Sequence, residues 1–473
     1  MLSLKKLLSA SILLLPLFTN AQEKSPLITG NVNISIKKGT IACDLIVTDL
    51  PDVKDYVIRL NSGMNIHYFK DLKRSKQPLY YDMDTKDSIQ SDETKAYYLH
   101  ENTGNPARYL PEELEIKYAG MYPVIADSLS GYMGQDWRGN IAFNGYSVRA
   151  EGMQAAWYPV LYDKATRTRY AEVKYNINIT CNDCSLLFLN GSQPVRGTKG
   201  SFKSDATQEM SMYCGDVKAK QNKGVWLINS DMTAQQEQKL FDLAGSYQSY
   251  YTKNFGTPFK GNLAFVQTTP VADSAQWAFS FFSAPTTFNV GAGRYGLHAM
   301  FDDKNSGMPK KTMAHELAHY YFGTLLKPGN EFGHAIEEGF AEYLAFNLTK
   351  HLEGEAVYNE NLQNKVHSLK YLHKYQPFSK VVSDKDYGNR EYYLYYYTPV
   401  LLLAIEKEMG EPVMWKWLKA MIATGSDHAD YSLMLNTFRT AVTDKDLQEK
   451  IIKKYFTSDD ALKNAYEVLG VKE

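Results

Sequence analysis

Five residues, His315-Glu316-Leu317-Ala318-His319, constrain this chain more than any others. Side chains four apart on a helix share a face. His315 and His319 can therefore grip one metal ion from a single helix. Glu316 sits one position round, where its carboxylate can act as a base beside that metal. The H-E-x-x-H pattern thus suits metal-assisted hydrolysis, with two imidazole ligands and a general base. A fold that uses it must bring a third ligand from elsewhere, because a catalytic zinc takes three protein ligands and keeps one position open.

The stretch His334-Ala335-Ile336-Glu337-Glu338-Gly339-Phe340-Ala341-Glu342-Tyr343 offers that ligand. Glu338 follows His319 with 18 residues between them. This arrangement, with its E-G-F-A-E-Y run, closely resembles the aminopeptidase N family of gluzincin zinc metallopeptidases. The resemblance implies that Glu338 is the third ligand and that each chain holds one Zn2+. A metzincin arrangement is excluded: it needs Gly and His where Phe322 and Leu325 stand. His334 is a rival third ligand. Glu342, one turn beyond Glu338, suits either the second ring N–H of a liganding His or an ordinary salt bridge. Glu337 stands where the family usually has Asn.

The N-terminus reads as a secretory signal. Lys5 and Lys6 precede an apolar run from Leu7 to Phe18, too short for a membrane span, which needs about 20 residues. Thr19-Asn20-Ala21 suits cleavage before Gln22, and no Cys follows closely to carry a lipid. A periplasmic or secreted protein with no membrane span is expected. Net charge is −1, and no basic cluster interleaves with aromatics, so nucleic acid is excluded as a partner. A peptide is the expected substrate; nothing in the sequence sets an oligomeric state. The four cysteines are Cys43, Cys181, Cys184 and Cys214. Cys181 and Cys184 follow a strand-like run rather than opening a helix, which argues against redox catalysis. Structural disulfides fit an exported chain, and three full pairings exist.

The expected fold is α+β and multidomain: a signal peptide over 1–21, an antiparallel β domain over 22–220, a thermolysin-like α/β catalytic domain over 221–355 and a short helical region over 356–473. The β reading rests on two-residue alternation in Val32, Ile34 and Ile36, in Ile41, Cys43, Leu45 and Val47, and in Tyr175, Ile177 and Ile179. Ala156-Trp157-Tyr158-Pro159 resembles part of the family's N-terminal domain, and Met210 to Tyr213 is read as the strand leaving it. Beyond it, Val225–Ile228 and Leu263–Val266 read as strands and Asp231–Asn254 as an amphipathic helix. The motif helix is expected from Pro309 to Gly323, and a second from Glu337 to Lys350. That these two helices come together is what the resemblance implies. Thr398-Pro399 reads as a cap and first helical Pro, opening a helix that closes on Gly410. Further helices are expected over Val413–Ile422 and Asp444–Tyr455.

Amide hydrolysis also needs a donor for the oxyanion. The family supplies a Tyr before a downstream helix, and Tyr392, Tyr393, Tyr395, Tyr396 and Tyr397 cluster in such a place. Counting back from Gly410 favours Tyr395, with Tyr396 and Tyr397 left open. The family's G-x-M-E-N motif, whose Glu binds the substrate's α-amino group, is altered. Here the stretch is Val290-Gly291-Ala292-Gly293-Arg294-Tyr295. Gly291, Ala292 and Arg294 are the candidate substrate-binding residues, and a cation at Arg294 would repel an amino terminus. Asp302 and Asp303 could replace the missing Glu only if the strand bends back. The resulting expectation is an exported zinc metallopeptidase, aminopeptidase-like with altered N-terminal recognition. The alternatives are a zinc endopeptidase or other exopeptidase, and a non-catalytic peptide-binding protein with a relic zinc site.

Overall fold

A computed structural model describes residues 25–74, 77–86, 93–102, 105–124, 139–268, 280–290, 296–301, 307–370 and 375–471. The expected signal segment, the candidate substrate residues Gly291, Ala292 and Arg294, and Asp302 and Asp303 lie outside these residues.

The N-terminal part is built from three β-sheets around one core. The alternation seen in the sequence is the reason. Val32, Ile34, Ile41, Cys43, Leu45 and Val47 all turn inward, while the residues between them face out or lie half-buried. The largest sheet runs Lys199–Gln208, Val173–Cys181, Leu27–Ser35, Thr40–Thr48, Leu114–Met121, Met64–Asp71. Among its described strands one pairing is parallel, Leu27–Ser35 with Val173–Cys181. Trp157 and Tyr158 are fully buried where the sheets meet, and the Trp157 indole donates to the Met210 carbonyl. Met212–Gly215 does not leave this region: it pairs with Leu186–Leu189 on one side and Ser147–Ala150 on the other. The chain exits through Ala219–Asn222 instead, which starts the next sheet.

Full cysteine pairing does not occur. Cys181 bonds Cys184, and Cys43 and Cys214 are thiols buried on strands of different sheets. Burial pushes each thiol up to about 12. The Asp183 carboxylate in the disulfide turn accepts the Ile36 and Lys37 N–H groups and so pins the first hairpin.

The central part is a five-stranded sheet ordered Ala219–Asn222, Val225–Ile228, Leu263–Gln267, Thr287–Val290, Ser280–Ser283. Its three inner strands are parallel and its outer two antiparallel. Helix α1 (Ala234–Phe255) packs beside it, started by a Thr233–Gln236 capping box and stopped by Gly256 in the left-handed region. Helix α2 (Gly307–Ala318) carries the motif and touches both Ser280–Ser283 and Thr287–Val290. It ends five residues before the expected Gly323. Tyr320, Tyr321 and Phe322 are all buried, a pattern one helix face cannot satisfy. The chain tightens instead into a turn, with the His319 N–H on the Glu316 carbonyl.

Helix α3 (Glu331–Glu353) starts six residues before the expected Glu337, because the Asn330 side chain caps it at the Gly333 N–H. Helix α4 (Glu355–Leu369) folds back on α3. A continuous helical run then passes from α5 (Arg390–Tyr392) through a π-helical turn (Tyr393–Tyr397) into α6 (Thr398–Met409). Thr398 is therefore not a cap: its hydroxyl donates back to the Tyr393 carbonyl. Helices α7 (Glu411–Ala423), α8 (Tyr431–Ala441), α9 (Lys445–Ile451) and α10 (Ala461–Leu469) complete the C-terminal part. The central sheet, α1 to α4 and the later helices bury their apolar faces in one continuous core. Among the described residues no helix is long and apolar enough to cross a membrane.

Candidate active site

Helix α2 places His315 and Glu316 in a buried position, because Met313, Ala314, Leu317 and Ala318 anchor it in the core. His319 lies just past the helix end, yet the tightened turn keeps it beside His315: their Nε2 atoms are 3.1 Å apart. Gly323 holds that turn with a φ of 137°, a conformation other residues resist. Glu338 arrives from α3. The neighbouring Gly339 is a packing requirement, since a Cβ there would lie 2.2 Å from Thr398 Cγ2 on α6. Glycine lets α3 press against α6 and so sets Glu338 opposite the histidines.

The Glu338 Oε2 atom lies 3.3 Å from His315 Nε2 and 3.4 Å from His319 Nε2. A tetrahedral site with ligand bonds of about 2.0–2.1 Å spaces its ligand atoms by about 3.3–3.4 Å, so the three atoms already stand at coordination spacing. The protonation pattern agrees. His319 Nδ1 donates to the Phe322 carbonyl at 2.9 Å, and His315 Nδ1 lies 3.0 Å from Glu342 Oε2. When neutral, His319 thus turns the lone pair of its Nε2 inward, and the nearby Glu342 charge favours a proton on His315 Nδ1 and the same inward lone pair there. Two lone pairs and a buried carboxylate oxygen with no hydrogen-bond partner of its own converge on one point. Such a set of acceptors calls for a cation, and its mixture of imidazole and carboxylate suits zinc.

Burial by itself lowers an imidazole pKa. Here Glu338, Glu342 and Glu316 outweigh it, raising His315 to about 10, and Glu338 leads the groups that raise His319 to about 8. Burial would likewise raise Glu338, but the two histidines hold it well below the usual carboxylate range. The metal-free site is therefore protonated at neutral pH, and zinc must displace protons. With both imidazoles protonated, we expect release of about two protons on zinc binding at pH 7, and affinity that rises about a hundredfold per pH unit up to near pH 8 and more gently above it. Calorimetry in two buffers of different ionisation enthalpy reads this directly; no proton release would contradict the charge balance described.

Around the three ligand atoms lies a set of charges the sequence did not mark. Glu342 Oε1 accepts Lys311 Nζ and Lys365 Nζ, each at 2.6 Å. Burial disfavours the Glu342 charge, yet Lys365, Lys311 and His315 keep it well below the usual carboxylate range. Burial, assisted by the Lys311 charge, brings Lys365 down to about 8 despite Glu342. Lys311 carried a legible signal, four positions before His315 on one helix face. Lys365 carried none, since α4 reads as an ordinary amphipathic helix.

The tyrosine cluster separates by environment. Tyr393 and Tyr397 are buried in the core, Tyr397 stacked on Tyr375 with centroids 4.7 Å apart. Tyr396 stacks on Tyr392. Tyr395 alone of the five has its ring against the ligand set, 5.7 Å from the His315 ring. Burial and the Glu338 and Glu316 carboxylates push its phenol well up, which keeps it a proton donor. The π-helical turn makes this selection, because one extra residue per turn rotates the ring positions relative to an α-helix. His334 does not join the ligand set; its Nδ1 lies 3.3 Å from Glu337 Oε2.

No protein-family model and no curated protein matches this sequence. Solved structures do. A zinc metallopeptidase of the M1 type from Deinococcus radiodurans superposes with a TM-score of 0.55 at 12% identity, over 91% of this chain and 92% of that one. A mutant of that enzyme bound to a Tyr-Ser-Ala substrate gives 0.57 at 12% identity, over 92% and 94%. Leukotriene A4 hydrolase from Saccharomyces cerevisiae gives 0.59 at 12% identity, over 91% of this chain and 67% of that one. This chain shares the multidomain fold of M1 zinc metallopeptidases.

Proposed function

We propose that this protein is a zinc metallopeptidase that hydrolyses peptide bonds, aminopeptidase-like but with altered recognition of the substrate's N-terminus. The observation that carries the reading is the convergence of His315, His319 and Glu338 at coordination spacing, with Glu316 beside them in sequence and Tyr395 against His315. The donor set fits zinc, which when bound polarises the scissile carbonyl and acidifies water. His315, His319 and Glu338 hold the ion. Glu316 takes a proton from the attacking water and hands it to the leaving amine. Tyr395 donates its hydroxyl hydrogen to the oxyanion as it forms. Glu342 orients His315 through Nδ1. A relic site has no need of a base, so the presence of Glu316 weighs against a purely binding role.

The peptide substrate is supported by a Deinococcus enzyme of this fold that binds Tyr-Ser-Ala. Altered recognition is supported by the sequence Gly291-Ala292-Gly293-Arg294, which lacks the Glu that would pair with an α-amino group. Mass spectrometry of matched peptides with free and acetylated N-termini, incubated with the zinc-loaded protein, tests both. We expect single residues to leave the free peptide. Loss of the acetylated first residue from the blocked peptide would show that no free amine is needed, internal cuts would assign an endopeptidase, and cleavage of neither would end the peptidase reading.

A further inference from the structure

Lys365 lies on α4, outside both helices that carry the motif. Its side chain is buried, an expensive place for a charge unless it is paired. The ammonium has two partners. It lies 2.6 Å from Glu342 Oε1 and donates to the Tyr395 backbone carbonyl at 2.5 Å. The Tyr396 ring covers it, 4.3 Å from the ring centre. The Tyr395 carbonyl has no α-helical donor. Four residues on stands Pro399, which has no N–H to give. The other oxygen of Glu342 faces His315 Nδ1 at 3.0 Å. One ammonium therefore links the metal-ligand helix α2, through Glu342 on α3, to the backbone that aims the Tyr395 phenol.

We propose that Lys365 is a positioning residue that fixes His315 and Tyr395 relative to one another, so that the metal ligand and the oxyanion donor are set by one buried contact. This rests on the zinc-hydrolase reading given above. Lys311 supplies an internal control. It shares Glu342 Oε1 at 2.6 Å and lies over the Phe346 ring, and among the described residues its hydrogen bonds do not include the Tyr395 carbonyl. Lys311 thus serves the Glu342 arm alone, whereas Lys365 serves both.

The test compares Lys365→Met and Lys311→Met, each alone and combined with Tyr395→Phe, in the full-length protein. Zinc affinity is read by chelator competition, kcat and KM on a peptide substrate, and Tm on the metal-free form. Both lysine variants are expected to weaken zinc binding about tenfold, the usual effect of losing a group that orients a ligand. Lys365→Met is expected to lower kcat about 100-fold, the scale of a small misplacement, with KM changed less than about threefold. In the Tyr395→Phe background its effect on kcat should shrink to that of Lys311→Met, because the phenol it aimed is gone. Equal effects of Lys365→Met in both backgrounds, or wild-type zinc affinity and kcat in that variant, would overturn the proposal. Should Lys365→Met fail to fold, Lys365→Gln, which keeps a donor and loses the charge, carries the same comparison. An unsubstituted protein that neither binds zinc nor cleaves peptide overturns the parent reading and this inference with it. One that does both while the cycle is additive overturns this inference alone.

Discussion

Replacing Glu316 with Gln is expected to leave zinc bound and to lower kcat about 1,000-fold, within the range by which a positioned base accelerates proton transfer. The argument starts from the separation of roles in α2. The atoms that converge on the metal position belong to His315, His319 and Glu338, so the amide leaves the ligand set whole. Gln has the shape of Glu and fits the same buried space. What it lacks is the capacity to take a proton from water and return it to the amine. Metal content by elemental analysis and turnover on a free peptide separate the two consequences. A Glu316→Gln variant with full turnover would show that the proton moves by another route, and the mechanism above would be wrong.

Glu338→Gln is expected to lose zinc itself. Structural zinc sites gain about 10–16 kcal/mol from four ligands, or about 3 kcal/mol for each, equivalent to a loss of about 100-fold or more in affinity. The amide is a poor ligand, and it removes the one negative charge in the set. The two imidazoles would then face each other across 3.1 Å without the carboxylate that now balances them. His315 should also give up its proton more readily, since the Glu338 carboxylate is the first of the groups that raise its pKa. The fold should survive, because the anchor of this segment is the run Phe340, Ala341, Tyr343 and Leu344 in the core. A chelator titration alongside the metal-free Tm measures both effects. Wild-type affinity in the variant would remove Glu338 from the ligand set and return His334 to consideration.

Much of the architecture was legible because it follows local periodicity. The alternation in Ile41 to Val47 is a property of a strand by itself, and the four-residue spacing brings His315 and His319 together although the helix tightens into a turn at His319. The start of α3 is also written in the chain, in Asn330 three residues before Gly333, a cap that places it upstream of Glu337. Other features were not there to be found. The pairing of Cys181 with Cys184, while Cys43 and Cys214 stay reduced, depends on which strands neighbour one another. The parallel pairing of Leu27–Ser35 with Val173–Cys181 joins segments far apart in sequence, and alternation has no direction.

The site divides in the same way. The chain alone determined two imidazoles four apart, a base beside one of them and a carboxylate 19 positions on, because those relations are local or rest on a motif. Only the tertiary structure decided which tyrosine lies against His315, since that choice belongs to a π-helical turn packed between α3 and α4. It also decided that Glu342 serves His315 and that two lysines hold Glu342. A buried charge is tolerated where partners from other elements surround it, and no local pattern in α4 announces that Lys365 will meet Glu342 and the Tyr395 carbonyl. Sequence spacing fixes what a single helix can present; packing between helices fixes what each presented group will face.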